Sequence, residues 1–326
     1  MELRKDPITR SWVVAGHRER AAPRQGPCPL CSEGSGESRT ILQLPANGPW
    51  QVRVKPHLRP LYHIEGDPAR GADGIFDRME AIGAHEIIVE TPDDTRPLAQ
   101  LRDDEIALVL EAYALRIADL KRDARFKYVA AFKNQGVASG EEWPHAHSQI
   151  TATTFVPRRI LYELRAARDW YRERERCVFC DIFRQEIRQT KRIVDSVGDY
   201  YALCPYASRV PYEMWIFPRT HSHQFESLRS GENRHHLAAL LGRTLRRLVQ
   251  VAGSFHMVVH TAPNTLQGQG ELSEYWRTIE SDYHWHIEIL PILETQSKSY
   301  SIKEIYFNGT LPEDAAERLR KLDPTR

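Results

Sequence analysis

The sequence predicts an α+β protein made of two tandem copies of one unit, each an antiparallel sheet with packed helices. Three kinds of feature support this fold class. A C-x-x-C pair, a long amphipathic stretch and a His-x-His pair follow one another in the same order in both halves of the chain. Such a shared order is typical of an internal duplication. We place the junction near residues 155–176 and predict domains at residues 1–160 and 161–326.

Each copy opens with its cysteine pair and continues into a short apolar strand. The cysteine pairs occupy residues 28–31 and 177–180. The strands are predicted over residues 86–94 and 213–221, where β-branched and aromatic residues are frequent and apolar residues alternate with others. The two copies therefore begin with the same two features.

The second part of each copy predicts a helix and the strand that carries the histidine pair. Apolar residues recur at helical spacing over residues 103–121 and 232–251, which predicts a helix with one buried face. After a further strand, the histidine pairs stand at residues 145–147 and 284–286. Residues two apart in a strand point to the same face, so the two histidines of a pair project together.

The composition narrows the class of protein. Apolar residues make up 41% of the 326 residues and charged residues 27%, which is close to the globular average. The 45 Lys and Arg nearly balance the 44 Asp and Glu, so we expect neither nucleic acid nor a membrane as a partner. The chain shows no signal peptide, and we expect a cytoplasmic protein. In that reducing compartment, paired cysteines indicate metal ligands before disulfides.

Cysteines and histidines predict two structural zinc sites, each with four ligands. The second copy supplies a complete Cys2His2 set of Cys177, Cys180, His221 and His284. The first copy supplies Cys28, Cys31 and His145. Asp94 stands at the position that matches His221 and is the expected fourth ligand, with His85 as an alternative. Such closed sets leave no coordination position for a substrate.

His147 is the candidate nucleophile. It projects from the same strand face as His145, beside the loop of residues 136–144, whose glycines and serine can present N–H groups to phosphate oxygens. The amide of Gln149, two residues further on, can donate to an oxyanion. These groups suit nucleophilic attack at phosphorus. By itself, a His-x-His-x-Gln pattern is more typical of a buried histidine pair or of a pair of metal ligands than of a nucleophile.

Residues 132–136 and 145–149 together resemble the active-site signature of the galactose-1-phosphate uridylyltransferase branch of the histidine triad superfamily. Further similar segments follow in the family's order at residues 4–13, 17–18, 28–31, 205–213, 218–221 and 311–314. The resemblance spans nearly the whole chain. It implies two tandem histidine-triad-like domains and a homodimer.

The resemblance also implies a ping-pong mechanism. His147 would attack the α-phosphorus of a UDP-sugar and release the sugar 1-phosphate, and a second sugar 1-phosphate would then take the nucleotidyl group. Gln149 would stabilise charge on the transferring group. Four residues would contact the nucleotide: Arg18, Asn134, Ser139 and His57, the last in place of the family's usual Asn.

The family has two versions of the second metal site. One uses a cysteine pair and two histidines, which matches the Cys2His2 set above. The other would map to Glu163, His260, His284 and His286, so that the two versions share His284. The cysteine pair favours the first version with zinc, and iron is the alternative ion.

Two departures from the family bear on the substrate and the motif. Ala146 stands where the family carries Pro or Ser, and residues 300–309 resemble the sugar-binding strand only loosely. Galactose is therefore a family default. A phosphorylase or a hydrolase would use the same His147 with phosphate or water as the acceptor. A non-catalytic zinc-stabilised nucleotide-binding module is the alternative of another class.

Overall fold

The computed structural model describes residues 1–16, 28–31, 40–228, 231–266, 276–293 and 305–325 of the chain. In these residues the strands are β1 (Glu2–Lys5), β2 (Trp12–Ala15), β3 (Leu42–Leu44), β4 (Val52–Pro56), β5 (Gly71–Asp73), β6 (Phe76–Glu80), β7 (Gly83–Val89), β8 (Tyr128–Gln135), β9 (His147–Thr153), β10 (Ile193–Val197), β11 (Tyr200–Leu203), β12 (Met214–Pro218), β13 (Ser254–His260) and β14 (His286–Ile292). The helices are α1 (Asp103–Leu120), α2 (Arg158–Arg174), α3 (Val178–Gln189), α4 (Gly231–Leu248), α5 (Ile279–Asp282) and α6 (Pro312–Lys321).

Ten of the described strands form one antiparallel sheet, in the order β10-β11-β12-β14-β13-β8-β9-β7-β4-β3. The two halves of the chain meet where β8 pairs with β13. Outward from this joint, the first half follows β8-β9-β7-β4-β3 and the second half follows β13-β14-β12-β11-β10. The path is the same in both halves, so the predicted duplicated α+β fold is confirmed. The predicted boundary between residues 160 and 161 falls inside α2 and stays a prediction.

Helices α1 and α4 cover one face of this sheet and pack against each other. Ile106 of α1 and Leu241 of α4 lie in one core with sheet residues such as Ile150, and burial of each such side chain contributes about 1.5–3 kcal/mol. The helices predicted over residues 103–121 and 232–251 are confirmed, with ends that differ by a few residues. Every helix in the described residues is too short or too polar to span a lipid bilayer.

The opposite face of the sheet differs between the two halves. In the second half, α2 and α3 cover it, and Phe183, Phe217 and Tyr283 pack in the core between the layers. In the first half, Ser148 faces α1 through its contact with Tyr113. Side chains alternate along β9, so its neighbours His147 and Gln149 lie on the face away from α1. The candidate site is on that face.

A second, four-stranded sheet has the order β2-β1-β6-β5. Its inner side buries a small apolar cluster of Leu3, Met79 and Ala81, and β1 pairs with β2 and β6. These short strands were not predicted from the sequence. They pack beside the first half and touch Phe155, just after β9.

Candidate active site and metal clusters

The first cysteine pair meets His145, as predicted. The Nδ1 atom of His145 lies 3.4 Å from Cys28 Sγ and 3.2 Å from Cys31 Sγ. The Nε2 atom of the same ring lies 2.7 Å from the carbonyl oxygen of Thr91, which can only accept. Nε2 therefore carries the proton, and the lone pair of Nδ1 points at the two thiols. This is the arrangement that a metal ion requires from an imidazole.

The expected fourth ligand of this first cluster lies further away than the other three. The carboxylate of Asp94 lies 3.9 Å from Cys31 Sγ, at the edge of the three close ligands. Burial raises the pKa of Cys31 to about 11, and the adjacent Cys28 adds to the shift. Binding of a metal ion by this pair would release protons. His85 does not join the cluster, because both of its ring nitrogens have other partners.

The second cysteine pair lies with both predicted histidines. Cys180 Sγ is 3.2 Å from His221 Nδ1 and 3.4 Å from His284 Nδ1. Each ring donates through Nε2 to a backbone carbonyl, of Glu280 and of Pro218 respectively. One ligand atom from each of four residues lies within 4.8 Å of the others: Cys177, Cys180, His221 and His284. This set could hold one metal ion.

A third cluster lies under α2 and corrects the prediction that two metal sets share His284. Its members, again within 4.8 Å of one another, are Glu163, His260, His286 and Glu288. His284 belongs to the cysteine cluster alone, because it precedes β14 and turns its Nδ1 towards the thiol of Cys180. Glu288 takes its place. Both sets thus coexist in one chain.

The third cluster balances its charges internally. His260 lies between two carboxylates, 3.0 Å from Glu163 through Nδ1 and 3.4 Å from Glu288 through Nε2. Although burial opposes its charge, these carboxylates raise the pKa of His260 to about 10. Burial and the nearby His260 lower the pKa of His286 to about 4. Arg209, 2.8 Å from Glu288, adds a further cation. Nitrogen and oxygen ligands of this kind suit iron among other metals.

His147 begins β9 and presents one defined ring nitrogen. Its Nδ1 lies 2.7 Å from the carbonyl oxygen of His145, so Nδ1–H donates and Nε2 carries the lone pair. The ring is buried and meets the edge of Trp143, with the ring centroids 5.4 Å apart. Burial, with a smaller effect of the Lys133 ammonium, lowers the pKa of His147. The imidazole is therefore neutral near pH 7 and can act as a nucleophile.

A buried ionic network holds the strand behind His147, and the sequence analysis missed it. Lys133 Nζ donates to the carbonyl oxygen of His147 at 3.0 Å and to Glu90 Oε2 at 2.8 Å. Ser148 donates to the other oxygen of Glu90, and Tyr113 donates to Ser148. Lys133 and Glu90 are fully buried. The available signal was a lysine that directly follows the apolar run of residues 128–132 within a predicted strand.

Gln149 contacts His85, a partner that the sequence analysis considered only as a metal ligand. Gln149 Oε1 lies 2.8 Å from His85 Nε2. His57 stacks on His85, with the ring centroids 3.9 Å apart and the planes 18° from parallel. His57 Nε2 lies 3.7 Å from a carboxylate oxygen of Glu142. His57, a predicted nucleotide contact, therefore packs against the same histidine that contacts Gln149.

The loop before the histidine pair is closed by its own hydrogen bonds. Gly136 adopts φ 83° and donates its N–H to Glu141 Oε2 at 2.9 Å. Ser139 donates its hydroxyl to the carbonyl oxygen of Gly136 at 2.7 Å. Asn134 Oδ1 lies 2.8 Å from His256 Nδ1. The nucleotide contacts of Asn134 and Ser139 stay predictions, and Arg18 lies outside the described residues.

Known proteins are similar to this chain over nearly its whole length. The profile of the family described as galactose-1-phosphate uridyl transferase, N-terminal domain, matches residues 63–157. A galactose-1-phosphate uridylyltransferase of Thermotoga maritima is 27% identical over 99% of this chain and 99% of its own length. An ADP-glucose phosphorylase of Arabidopsis thaliana is 26% identical over 99% of this chain and 93% of its own length. A solved uridylyltransferase structure, 27% identical, superposes with a TM-score of 0.81 over 98% of this chain and 97% of its own.

The duplicated sheet and the His-x-His-x-Gln strand define a histidine-triad-like fold. Over nearly its whole length, the chain is similar to galactose-1-phosphate uridylyltransferases. It is therefore a nucleotidyltransferase.

Proposed function

We propose that this protein transfers a uridylyl group from a UDP-sugar to a hexose 1-phosphate, galactose 1-phosphate above all, through a covalent intermediate on His147. One observation carries the proposal. The backbone carbonyl of His145 fixes the proton of His147 on Nδ1, so that Nε2 presents its lone pair on the sheet face that α1 leaves uncovered. The T. maritima and rat relatives, named galactose-1-phosphate uridylyltransferases, support this choice of substrate class.

The reaction needs no proton transfer at the attacking nitrogen. His147 Nε2 forms a bond to the α-phosphorus, and the bond from that phosphorus to the sugar 1-phosphate oxygen breaks. The proton stays on Nδ1, where the carbonyl of His145 stabilises the positive ring of the uridylyl-histidine. A phosphate oxygen of the second sugar 1-phosphate then attacks the same phosphorus and releases the neutral imidazole. Donors aimed at the transferring group stabilise both transition states.

The remaining site residues are assigned by the same proposal. The amide of Gln149 donates to a non-bridging oxygen of the transferring phosphoryl group. Asn134 and Ser139 hold the nucleotide phosphates, while His57 and Arg18 contact the nucleoside part. The support for Asn134, Ser139 and Gln149 is the family signature around residues 132–149, and the register of β8 against β9 places Asn134 and Gln149 on one sheet face. His57 is supported by its stacking on His85, and Arg18 by the similar segment at residues 17–18.

We further propose zinc for the two cysteine clusters. Thiolates and imidazole lone pairs are zinc ligands, and in both clusters every described histidine offers its Nδ1. The second cluster has four such ligands, and in the first Asp94 would complete the set. A bound ion would have a structural role. In the first cluster it would fix His145, whose carbonyl orients His147.

A phosphorylase is the second candidate function. The Arabidopsis relative, named an ADP-glucose phosphorylase, aligns with 99% of this chain, and its likeness favours ADP-glucose and phosphate as substrates. The first half-reaction would be the same with an adenylyl group. Product analysis separates the two functions. With galactose 1-phosphate as the acceptor, the transferase makes a UDP-hexose, whereas with phosphate the phosphorylase releases a nucleoside diphosphate.

Intact-mass measurement tests the covalent intermediate. After incubation with UDP-glucose or ADP-glucose, the wild-type chain gains one nucleotidyl group, and the donor that works identifies the base. His147→Ala abolishes the gain. His235→Ala, which changes an exposed histidine of α4, is the matched control and keeps it. A wild-type chain that stays unmodified with both sugar nucleotides contradicts the proposal.

The family also supports two proposals about the state of the protein. We expect a homodimer, which sedimentation analysis would report as twice the mass of one chain. We expect a cytoplasmic location, where the thiols of the cysteine clusters stay reduced and free for metal.

A further inference from the structure

We propose that His85 is a positioning residue that fixes the amide of Gln149 with its NH2 group turned towards the reacting phosphate. This inference rests on the proposed function, because the phosphate in question is the one that His147 attacks. His85 lies on β7 and Gln149 on β9, neighbouring strands of the large sheet. The contact joins their side chains 2.8 Å apart in the buried part of the site.

The backbone decides which nitrogen of His85 carries the proton. The N–H of Leu61 points at His85 Nδ1 at 3.1 Å. A backbone N–H can only donate, so Nδ1 must be the acceptor and the neutral ring carries its proton on Nε2. That N–H faces the side-chain amide of Gln149. An N–H needs an oxygen opposite it, so the Gln149 oxygen lies against His85 and the NH2 group lies away from it.

A stack of two imidazoles holds the ring of His85 in this orientation. His57 covers one face of it, and the N–H of Arg59 donates to His57 Nδ1 at 3.0 Å, as that of Leu61 does to His85. The N–H of His57 also donates to the carbonyl oxygen of His85 at 2.9 Å. Both rings are thus oriented by backbone donors from the segment that follows β4.

The direction of the Gln149 amide decides whether it helps or opposes the reaction. Gln149 and His147 lie two apart on β9 and share one face, where an NH2 group can donate to a phosphoryl oxygen. A flipped amide would present its own oxygen to that charge and repel it. Because an amide in isolation has little preference between the two orientations, the Nε2–H of His85 selects the productive one.

Two substitutions at His85 separate the positioning role from a structural one. In His85→Gln, the side-chain NH2 can occupy the place of Nε2 and still donate to Gln149, but the acceptor for Leu61 is lost. In His85→Asn, the side-chain oxygen can occupy the place of Nδ1 and still accept from Leu61, but the donor to Gln149 is lost. A positioning role therefore predicts that His147 gains its uridylyl group more slowly in His85→Asn than in His85→Gln. A purely structural role predicts that His85→Gln is the slower variant.

The measurement is the single-turnover rate at which His147 gains a uridylyl group from UDP-glucose. We expect His85→Asn to be slower than wild type by about 10- to 100-fold, a part of the loss typical for a removed oxyanion donor, and His85→Gln to stay close to wild type. In a Gln149→Ala background, His85→Asn should cause no further loss, because the amide that it orients is absent.

Several outcomes would overturn the inference. His85→Asn as fast as wild type, His85→Asn no slower than His85→Gln, or additive losses with Gln149→Ala would each do so. If the variants do not fold, nitrogen NMR of the histidine-labelled wild-type protein decides, because a proton on Nδ1 of His85 contradicts the argument. A wild-type chain that forms no adduct removes the proposed function as well, whereas a normal wild-type rate with an unaffected His85→Asn removes only the role of His85.

Discussion

His147 Nδ1 donates to the carbonyl oxygen of His145 over 2.7 Å, and the second copy repeats this contact between His286 and His284 at 3.2 Å. The two pairs start equivalent strands of the duplicated sheet. Their surroundings differ, because Glu288 stands in β14 where β9 has Gln149. A carboxylate cannot donate a hydrogen bond as the Gln149 amide does, so only the first copy keeps the donor that the proposed reaction needs.

The second copy should therefore not be labelled. We expect His286→Ala to gain one uridylyl group from UDP-glucose just as wild type does, while His147→Ala gains none. The physical reason is that His286 is fully buried beneath α2 and α3, including its Nε2 atom, so that a sugar nucleotide cannot reach it. Intact mass and peptide mapping of the modified chain check this. Label found on His286 would show that both copies react.

The Gln149 amide should contribute to the chemical step. We expect Gln149→Ala to slow uridylylation of His147 by about 10²- to 10³-fold, the loss typical for one oxyanion donor. Gln149→Glu should be at least as slow, because it places a negative charge at the phosphate. Rapid-quench kinetics with UDP-glucose measure the rate. Thr151→Val, on the same face of β9, is the matched control, and an equal loss there would argue against a specific role for the amide.

The buried pair behind the nucleophile should matter for stability. Lys133→Met leaves the carboxylate of Glu90 buried without its cation, and we expect a loss of about 3–5 kcal/mol in the free energy of unfolding. Lys133→Met with Glu90→Gln should lose less, because the charge disappears with its partner. Urea unfolding measures both. As a control, Lys321→Met breaks an exposed pair with Glu317 and should leave the free energy of unfolding almost unchanged.

Metal should be bound by the cysteine clusters and should stabilise the fold. We expect Cys180→Ser to lose about one equivalent of zinc per chain and to melt at a lower temperature, since structural zinc contributes directly to folding. Elemental analysis and thermal unfolding, with and without a chelator, measure these effects. Cys204→Ala changes a cysteine of the core that belongs to none of the described metal clusters, and it should keep the metal. Equal metal contents in the two variants would contradict the site.

Much of the fold was predictable because its signals are local. The helix at residues 103–120 follows from apolar spacing, and its acidic first turn suits the helix N-terminus. The cysteine pairs and histidine pairs predicted which side chains would meet. Their spacing repeats in both halves, and a repeated pattern is hard to obtain without a common structure.

The contacts between strands could not be predicted in the same way. The partner of Gln149 is His85, and it is set by the register of β7 against β9, which no local pattern encodes. The same holds for Glu90 beneath Lys133. Glu288 replaced His284 in the third cluster for a related reason: residue spacing alone did not tell where β14 begins. The short strands of the small sheet carry too little alternation to be recognised.

The pairing of β8 with β13 has a consequence for the evolution of the protein and for the behaviour of its separated halves. Five residue pairs, from Phe255 with Gln135 to Val259 with Ala131, join the two halves into one continuous sheet. Neither half can therefore rotate away from the other without breaking these backbone hydrogen bonds. Cut apart, each piece would expose a strand of unsatisfied amides and carbonyls. We expect two copies of either piece to pair through these exposed strands. A half-length ancestor would have formed the same ten-stranded sheet as a dimer, before its gene was duplicated.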